Sequence, residues 1–315
     1  MAMKGTTALT FSMLLCAVFI AQAQQPAQGR GGAQTRPPLT PEQQAAQKAR
    51  QAASAPDAPR PIAMLDTVWI EEQTWMETRD TIKAGKTTVI IGSGGLEQNG
   101  PYNANGKHNY VLRATCEATA RKLGNALCAP IVTLEPGNTE RPNLTPGAVF
   151  ITADTFKAIL TDMSNSLKSM GFTDIIMIAD SGGNVNGMKE VVTALNAKWQ
   201  GTAARAYYID EYYEEDKWSY DFLKSIGISQ VPDVQSATRY DIHDDYHYEA
   251  LVALTDPKLV RAGQRIEAGK FSINGVEIGS VEKLLENATK IQEHRATITA
   301  NAIRKAMAAS RSTGP

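Results

Sequence analysis

The sequence lacks an excess of charge of either sign. Its 315 residues carry 32 Lys and Arg against 33 Asp and Glu, which gives a formal net charge of -1. Binding to nucleic acid or to an anionic membrane surface depends on a basic excess that neutralises phosphates, so we expect neither partner. Hydrophobic residues make up 43% and charged residues 21% of the chain, which is typical of a globular protein with a substantial core.

Long hydrophobic runs are lacking everywhere except at the N-terminus. Lys4 precedes an apolar run over residues 9–20, and Ala21, Gln22 and Ala23 follow as a small-x-small cleavage site. The run is too short to cross the hydrocarbon core of a bilayer comfortably. We therefore expect residues 1–23 to be a cleaved signal peptide. The mature chain is then periplasmic or secreted, with no membrane partner.

Cysteine is scarce. Cys16 falls within the signal segment, so only Cys116 and Cys128 remain in the mature chain. Two thiols do not make a disulfide scaffold. A predicted helix carries Cys116 and the apolar strand after it carries Cys128, so one bridge and two buried free thiols both remain open.

Large apolar side chains are nearly absent from residues 24–60, where Gln, Ala, Pro, Gly and Arg predominate. This composition predicts a disordered low-complexity linker, followed by a domain over residues 61–315. Apolar strands are predicted at 87–91, 126–134 and 174–179, and helices at 111–123, 155–170, 188–199 and from 280 to about 310. Their alternation predicts an α/β fold, a three-layer αβα sandwich with a mostly parallel sheet.

Two glycine-rich loops follow the strands at 87–91 and 174–179, at the sheet edge where ligands bind in such folds. The first loop combines Glu97, Asn99 and His108, which are residue types that suit a metal ion. A solvated loop in which Asn and Gly only form turns is the alternative. The second loop, residues 180–184, offers Asp180 to a cation or its free N–H groups to an oxyanion, or it is a plain turn between strand and helix.

A third segment, residues 241–249, holds two of the chain's four histidines. In a helix, His243 and His247 would share one face, where they could bind one metal or act as a base and its orienting partner. An exposed pair of histidines is the commoner arrangement. The aromatic run over residues 207–220 either lines a substrate cleft or packs on the sheet.

Taken in order, these segments resemble the creatininase family of metal-dependent amidohydrolases over roughly residues 65–262. The family pattern begins with Glu-x-His-Gly-Pro-His and an Asp eleven residues after the Glu. Here residues 97–102 read Glu-Gln-Asn-Gly-Pro-Tyr, and His108 lies eleven residues after Glu97. Residues 146–148 (Pro-Gly-Ala) match the family's Pro-Gly-Thr stretch. Gly-Phe at 171–172 precedes residues 179–184, which read Ala-Asp-Ser-Gly-Gly-Asn where the family has Asn-Gly-His-Gly-Gly-Asn. His243 stands at the start of the last motif, His-Ala-Gly.

The resemblance implies a hydrolase of a small cyclic amide, lactone or related molecule, a divalent metal such as Zn or Mn, and a homo-oligomer. The ligands, however, differ. The family's metal-binding His is Asn99, its bridging Asp is His108, and the His of its glycine turn is Ser181, while its last Glu falls on Tyr248. A two-metal site needs a bridging carboxylate and enough anionic ligands for two divalent ions, so the ligands of a two-metal site are incomplete.

Three outcomes fit these replacements. One metal ion could be held by Glu97, Asn99, His108 and Asp180 with His243 or His247, leaving a position for an activated water. Acid–base chemistry without a metal is the second, and a small-molecule-binding protein without catalysis is the third. We predict a hydrolase with one ion. Its catalytic residues are then His243, His247 and Glu249, and its substrate contacts are Tyr102, Ser181, Gly182, Gly183 and Asn184.

Overall fold

The computed structural model describes residues 38–140, 146–214, 219–230 and 245–312. The chain divides into two compact units, Met1–Pro59 and Arg60–Pro315. In the first, helix α1 (Pro41–Ala53) begins after Thr40, whose side chain accepts a hydrogen bond from the Gln43 backbone in a capping box, and none of its residues is buried. This helix differs from the structureless linker that composition predicts over residues 24–60, because capping acts locally and needs no core.

The second unit is built on a parallel sheet. Its strands are β1 (Thr88–Ser93), β2 (Ala126–Cys128), β5 (Asp174–Ala179) and β6 (Arg205–Tyr208), in the order β2-β1-β5-β6. All three pairings are parallel. Every residue of β1 and β5 is buried, as expected for strands covered on both faces. The mostly parallel sheet predicted from the sequence is therefore confirmed.

Helices cover the sheet on both sides and confirm the predicted αβα sandwich. Helices α4 (Ala153–Met170) and α5 (Gly182–Lys198) pack together against β5, while α3 (Lys107–Leu123), α6 (Asp210–Tyr213) and α10 (Val281–Ser312) form a second group that also contacts the sheet. In the part of the chain that the structure describes, no helix combines the length and apolarity needed to cross a membrane. The helices are α2 (Trp75–Lys83), α3 (Lys107–Leu123), α4 (Ala153–Met170), α5 (Gly182–Lys198), α6 (Asp210–Tyr213), α7 (Ser219–Ser225), α8 (Tyr246–Thr255), α9 (Ala262–Glu267) and α10 (Val281–Ser312). The short strands are β3 (Glu135–Pro136), β4 (Phe150–Ile151), β7 (Ser272–Ile273) and β8 (Val276–Glu277).

Three predicted boundaries change by four residues or more, and two of these changes affect the site. Helix α3 begins at Lys107 instead of residue 111 and α5 at Gly182 instead of residue 188, because the polar and glycine-rich first turns carry no apolar periodicity. The strand predicted over residues 126–134 ends at Cys128. Pro130, which has no backbone N–H to donate, interrupts it.

The carboxyl ends of β1 and β5 form the topological switch point of the sheet, where the connections from neighbouring strands lead to opposite sides. From β1 the chain crosses to β2 on one side, whereas β5 lies on the other side, with Ser93 opposite Ala179. The loops that follow these two strands therefore meet at one crevice, which is the usual ligand position in open α/β sheets. A disulfide between Cys116 and Cys128 ties α3 to β2 beside it, which decides the question that the sequence left open.

Candidate functional site at the switch point

His108 lies between two carboxylates at this crevice. It stands in the first turn of α3, so its ring reaches both the loop after β1 and the end of β5. Its Nδ1 is 2.8 Å from Asp180 Oδ1 and its Nε2 is 2.7 Å from Glu97 Oε1. Burial and the neighbouring Lys107 act to lower the pKa of His108, but the hydrogen bonds to Asp180 and Glu97 outweigh them and raise it.

Asp180 is the buried end of this chain of hydrogen bonds. Its second oxygen, Oδ2, accepts from the Tyr212 hydroxyl at 2.8 Å and from the Arg295 guanidinium at 3.1 Å. Burial acts to raise the pKa of Asp180, but the charge of Arg295 and the hydrogen bonds from His108 and Tyr212 hold it below its usual value. Of the three hydrogen-bonded residues, Glu97 is the one that solvent can reach, with a side chain 25% exposed.

A second cation, Lys107, lies beside the exposed end. Its ammonium is 3.9 Å from Glu97 Oε1 and 4.7 Å from the centre of the Tyr248 ring, and the side chain is buried. Tyr248 also packs edge-on against His108, with ring centres 6.1 Å apart. Tyr248 therefore closes the site at the position where the family pattern places a glutamate.

Glu135 is a site residue that the sequence analysis missed. It lies on β3, is buried, and accepts a hydrogen bond from the Ser181 hydroxyl. A Cβ on Gly183 would lie 3.1 Å from Glu135 Oε2, so the carboxylate fills the space that the glycine leaves open. Burial raises the pKa of Glu135, and the Ser181 hydrogen bond opposes this. The sequence did offer a signal for Glu135, because it is a charged residue at the end of a mainly apolar stretch, directly before Pro136.

Two predicted site residues hold the loops together. The Asn99 side-chain amide donates to the carbonyls of Glu97 and Ala104, both at 3.0 Å. The Asn184 amide donates to the carbonyls of Ser93 and Gly94 at 3.0 and 2.7 Å, which joins α5 to the end of β1. We expected Asn99 to bind metal and Asn184 to contact substrate. In the structure their side-chain NH₂ groups fix the backbone of the two loops, and the metal and substrate roles stay predictions.

The other predicted catalytic residues lie on α8 or outside the described residues. His243 is in the latter group. His247 is buried, with Nδ1 3.3 Å from Asp245 Oδ1. Glu249 forms a buried ion pair with Arg265 at 2.5 Å, and the same guanidinium lies 4.4 Å above the ring of Tyr102. Glu249 therefore connects α8 to α9 through Arg265, which also lies over Tyr102. The catalytic role of Glu249 stays a prediction.

The sequence pattern of a known family matches most of this unit. The family is Creatininase, described as creatinine amidohydrolase, and the match covers residues 71–309. The chain belongs to the creatininase family. It is thus related to hydrolases that act on amide C–N bonds, as the order of its motifs predicted.

Solved creatininases share the fold at low sequence identity. A creatinine amidohydrolase (creatininase) superposes with a TM-score of 0.53 at 19% identity, over 76% of this chain and 98% of its own. A creatininase described with Mn gives 0.55 at 19% identity and the same coverage. A mutant creatininase complexed with creatine gives 0.53 at 18% identity over the same shares. Among curated proteins, none matches.

The donors at the switch point do not form a metal shell in this member of the family. Within residues 38–140, 146–214, 219–230 and 245–312, no three His, Cys, Asp or Glu side chains are placed to hold one ion. Both nitrogens of His108 and both oxygens of Asp180 already have protein partners. Asn99 Oδ1, which has no partner among these residues, is a single neutral donor.

A cavity borders the glycine turn of α5. Its volume is about 380 Å³, and its lining includes Pro136, Gly183 and Asn186. Gly183 thus lies between the cavity and the Glu135 carboxylate. Gly183 is therefore a predicted substrate-contact residue that lines this cavity.

Proposed function

We propose that this chain hydrolyses the C–N bond of a small cyclic amide, or the C–O bond of a related lactone, with Glu97 as the acid–base group. The observation that carries the proposal is the hydrogen-bonded chain Glu97–His108–Asp180, of which Glu97 is the solvent-reachable end. The hydrolase class of the family supports the reaction type.

The chemistry follows from where each group stands. Glu97 takes a proton from an attacking water, the water oxygen adds to the substrate carbonyl, and the proton passes to the leaving nitrogen or oxygen as the bond breaks. His108, which Asp180 orients, holds the Glu97 carboxylate in one position. The N-terminus of α5 follows β5 at the same sheet edge and suits a polar substrate.

The substrate class rests on the family. A mutant creatininase of this fold is described as complexed with creatine, which is a small polar molecule of the class that we propose for this chain. A metal-dependent form, with one Zn or Mn ion held by Glu97, Asn99, His108 and Asp180, is the cofactor prediction that the resemblance implies. The described donor set does not support it, and no step above depends on it.

The experiment is a turnover screen on the purified mature chain with five- and six-membered cyclic amides and lactones, read by mass spectrometry. Glu97→Gln keeps the shape but cannot take a proton, so we expect its kcat/KM to fall by about 100-fold or more. Glu293→Gln, which changes an exposed glutamate paired with Lys122, is the matched control and should keep its activity. Equal activity in all three proteins would contradict the proposal.

A small-molecule-binding protein without catalysis is the alternative. It predicts no turnover with any compound but a higher Tm in the presence of one of them.

Two further proposals concern the whole chain. The Cys116–Cys128 disulfide supports export to the periplasm or beyond, because disulfides persist in oxidising compartments. Assembly into a homo-oligomer remains a prediction from the resemblance.

A further inference from the structure

The switch point holds a group of acidic side chains that would repel one another without cations. Glu97, Glu135 and Asp180 all come together around His108, and Asp180 is completely buried. Carboxylates removed from water need compensating positive charge, because the loss of hydration makes a buried ion without a partner costly. Nearby side chains must therefore supply this positive charge.

Two buried side chains supply it. Arg295, on α10, donates to Asp180 Oδ2 and to the Tyr212 carbonyl, and its guanidinium lies 4.1 Å from the Tyr212 ring centre. Lys107, on α3, places its ammonium 3.9 Å from Glu97. Both side chains are at most 2% exposed, so these charges are part of the core and cannot turn away into solvent.

The same two cations oppose a divalent ion. A metal bound to Glu97 or Asp180 would stand within a few ångströms of a fixed positive charge in a poorly screened place. It would also have to displace Arg295 or Tyr212 from one oxygen of Asp180 and a carboxylate from one nitrogen of His108. A histidine ligand must offer a nitrogen lone pair to the metal, and here each nitrogen faces a carboxylate.

We propose that Arg295 and Lys107 take the place of the metal ions of the creatininase family, so that this site is charge-balanced by side chains and holds no divalent metal. The proposal concerns the same site as the proposed hydrolysis. It is tested without substrate, so its failure and the failure of the proposed function are distinguishable.

The first test is the metal content of the wild-type chain after equilibration with ZnCl₂ or MnCl₂ and desalting, read by plasma mass spectrometry. We expect far less than one equivalent per chain and no change in Tm on adding EDTA. About one equivalent or more that is lost in His108→Ala, together with a lower Tm in EDTA, would overturn the proposal. This test needs only the wild-type protein to be stable.

The second test removes the guanidinium and keeps its bulk. Arg295→Met removes one of the two cations and leaves Asp180 Oδ2 with the Tyr212 hydroxyl as its partner, so we expect Zn²⁺ to raise the Tm of this variant above its own value in EDTA. Arg265→Met removes an equally buried guanidinium that pairs with Glu249 and should show no such rise, like the wild-type chain. A rise of the same size in wild-type protein would count against the proposal, as would its absence in a folded Arg295→Met.

Discussion

At the scale of single residues, Arg295 joins the longest helix of the described chain to the site. It pairs with Asp180, which lies 115 residues earlier in the sequence, and both side chains are buried. Removing one partner of a buried pair leaves the other charge without compensation, which is costly. The stability of the fold and the geometry of the site therefore depend on the same contact.

Arg295→Met should lower the free energy of unfolding by about 3–5 kcal/mol, measured by urea denaturation. Arg311→Met is the control, because Arg311 is 66% exposed and its partner Asp174 also accepts from Thr173 and Tyr207. Its loss should cost only about 0–1 kcal/mol. Equal costs for the two variants would show that Arg295 is not the compensating charge of Asp180.

The pH dependence of stability tests the hydrogen bonds of His108. Its pKa is raised in the folded state, so its contribution is complete below the unfolded pKa of about 6.5 and is lost as the pH rises through the folded pKa. We expect the wild-type chain to lose stability relative to His108→Gln over that window. Parallel curves for the two proteins, measured by urea unfolding at each pH, would contradict this assignment.

At the scale of elements, the turn after β1 has no room for a side chain at its first glycine. A Cβ on Gly94 would lie 2.2 Å from Asn109 Oδ1 and 2.9 Å from the Asn109 backbone nitrogen, at the start of α3. Gly94→Ala should therefore displace α3 and with it His108, lowering both Tm and activity. Gly263→Ala meets nothing within 4 Å and, within α9, should be neutral or stabilising by up to about 1 kcal/mol. A harmless Gly94→Ala would mean that α3 is not held against this turn.

The disulfide joins two of the elements that carry the site. It closes a loop between residues 12 apart, for which the chain-entropy estimate is about 3 kcal/mol. Cys116→Ala alone should lose nearly the whole of this stabilisation, and Cys128→Ala added to it should cost little more. Additive losses from the two substitutions would indicate that the thiols contribute only by packing.

At the scale of the whole molecule, the sequence predicted what local patterns determine and missed what distant residues contribute. The strands before Gly94 and Asp180, and the loop with Glu97 and His108, were readable because apolar runs and glycines mark them. Lys107 and Arg295 were missed because a cation's pairing with a distant carboxylate leaves no local signal. The spacing of Leu284, Ala288 and Ile291 on α10 does place Arg295 on the buried face, which was the available hint.

Turnover by protein freed of metal distinguishes a site balanced by Arg295 and Lys107 from a metal site. Wild-type chain purified in EDTA is assayed on the best substrate of the screen, before and after ZnCl₂ or MnCl₂ is added in excess. We predict the same kcat/KM in both states, and its loss in Glu97→Gln in both. Turnover that is absent without metal and restored by either ion would contradict this prediction.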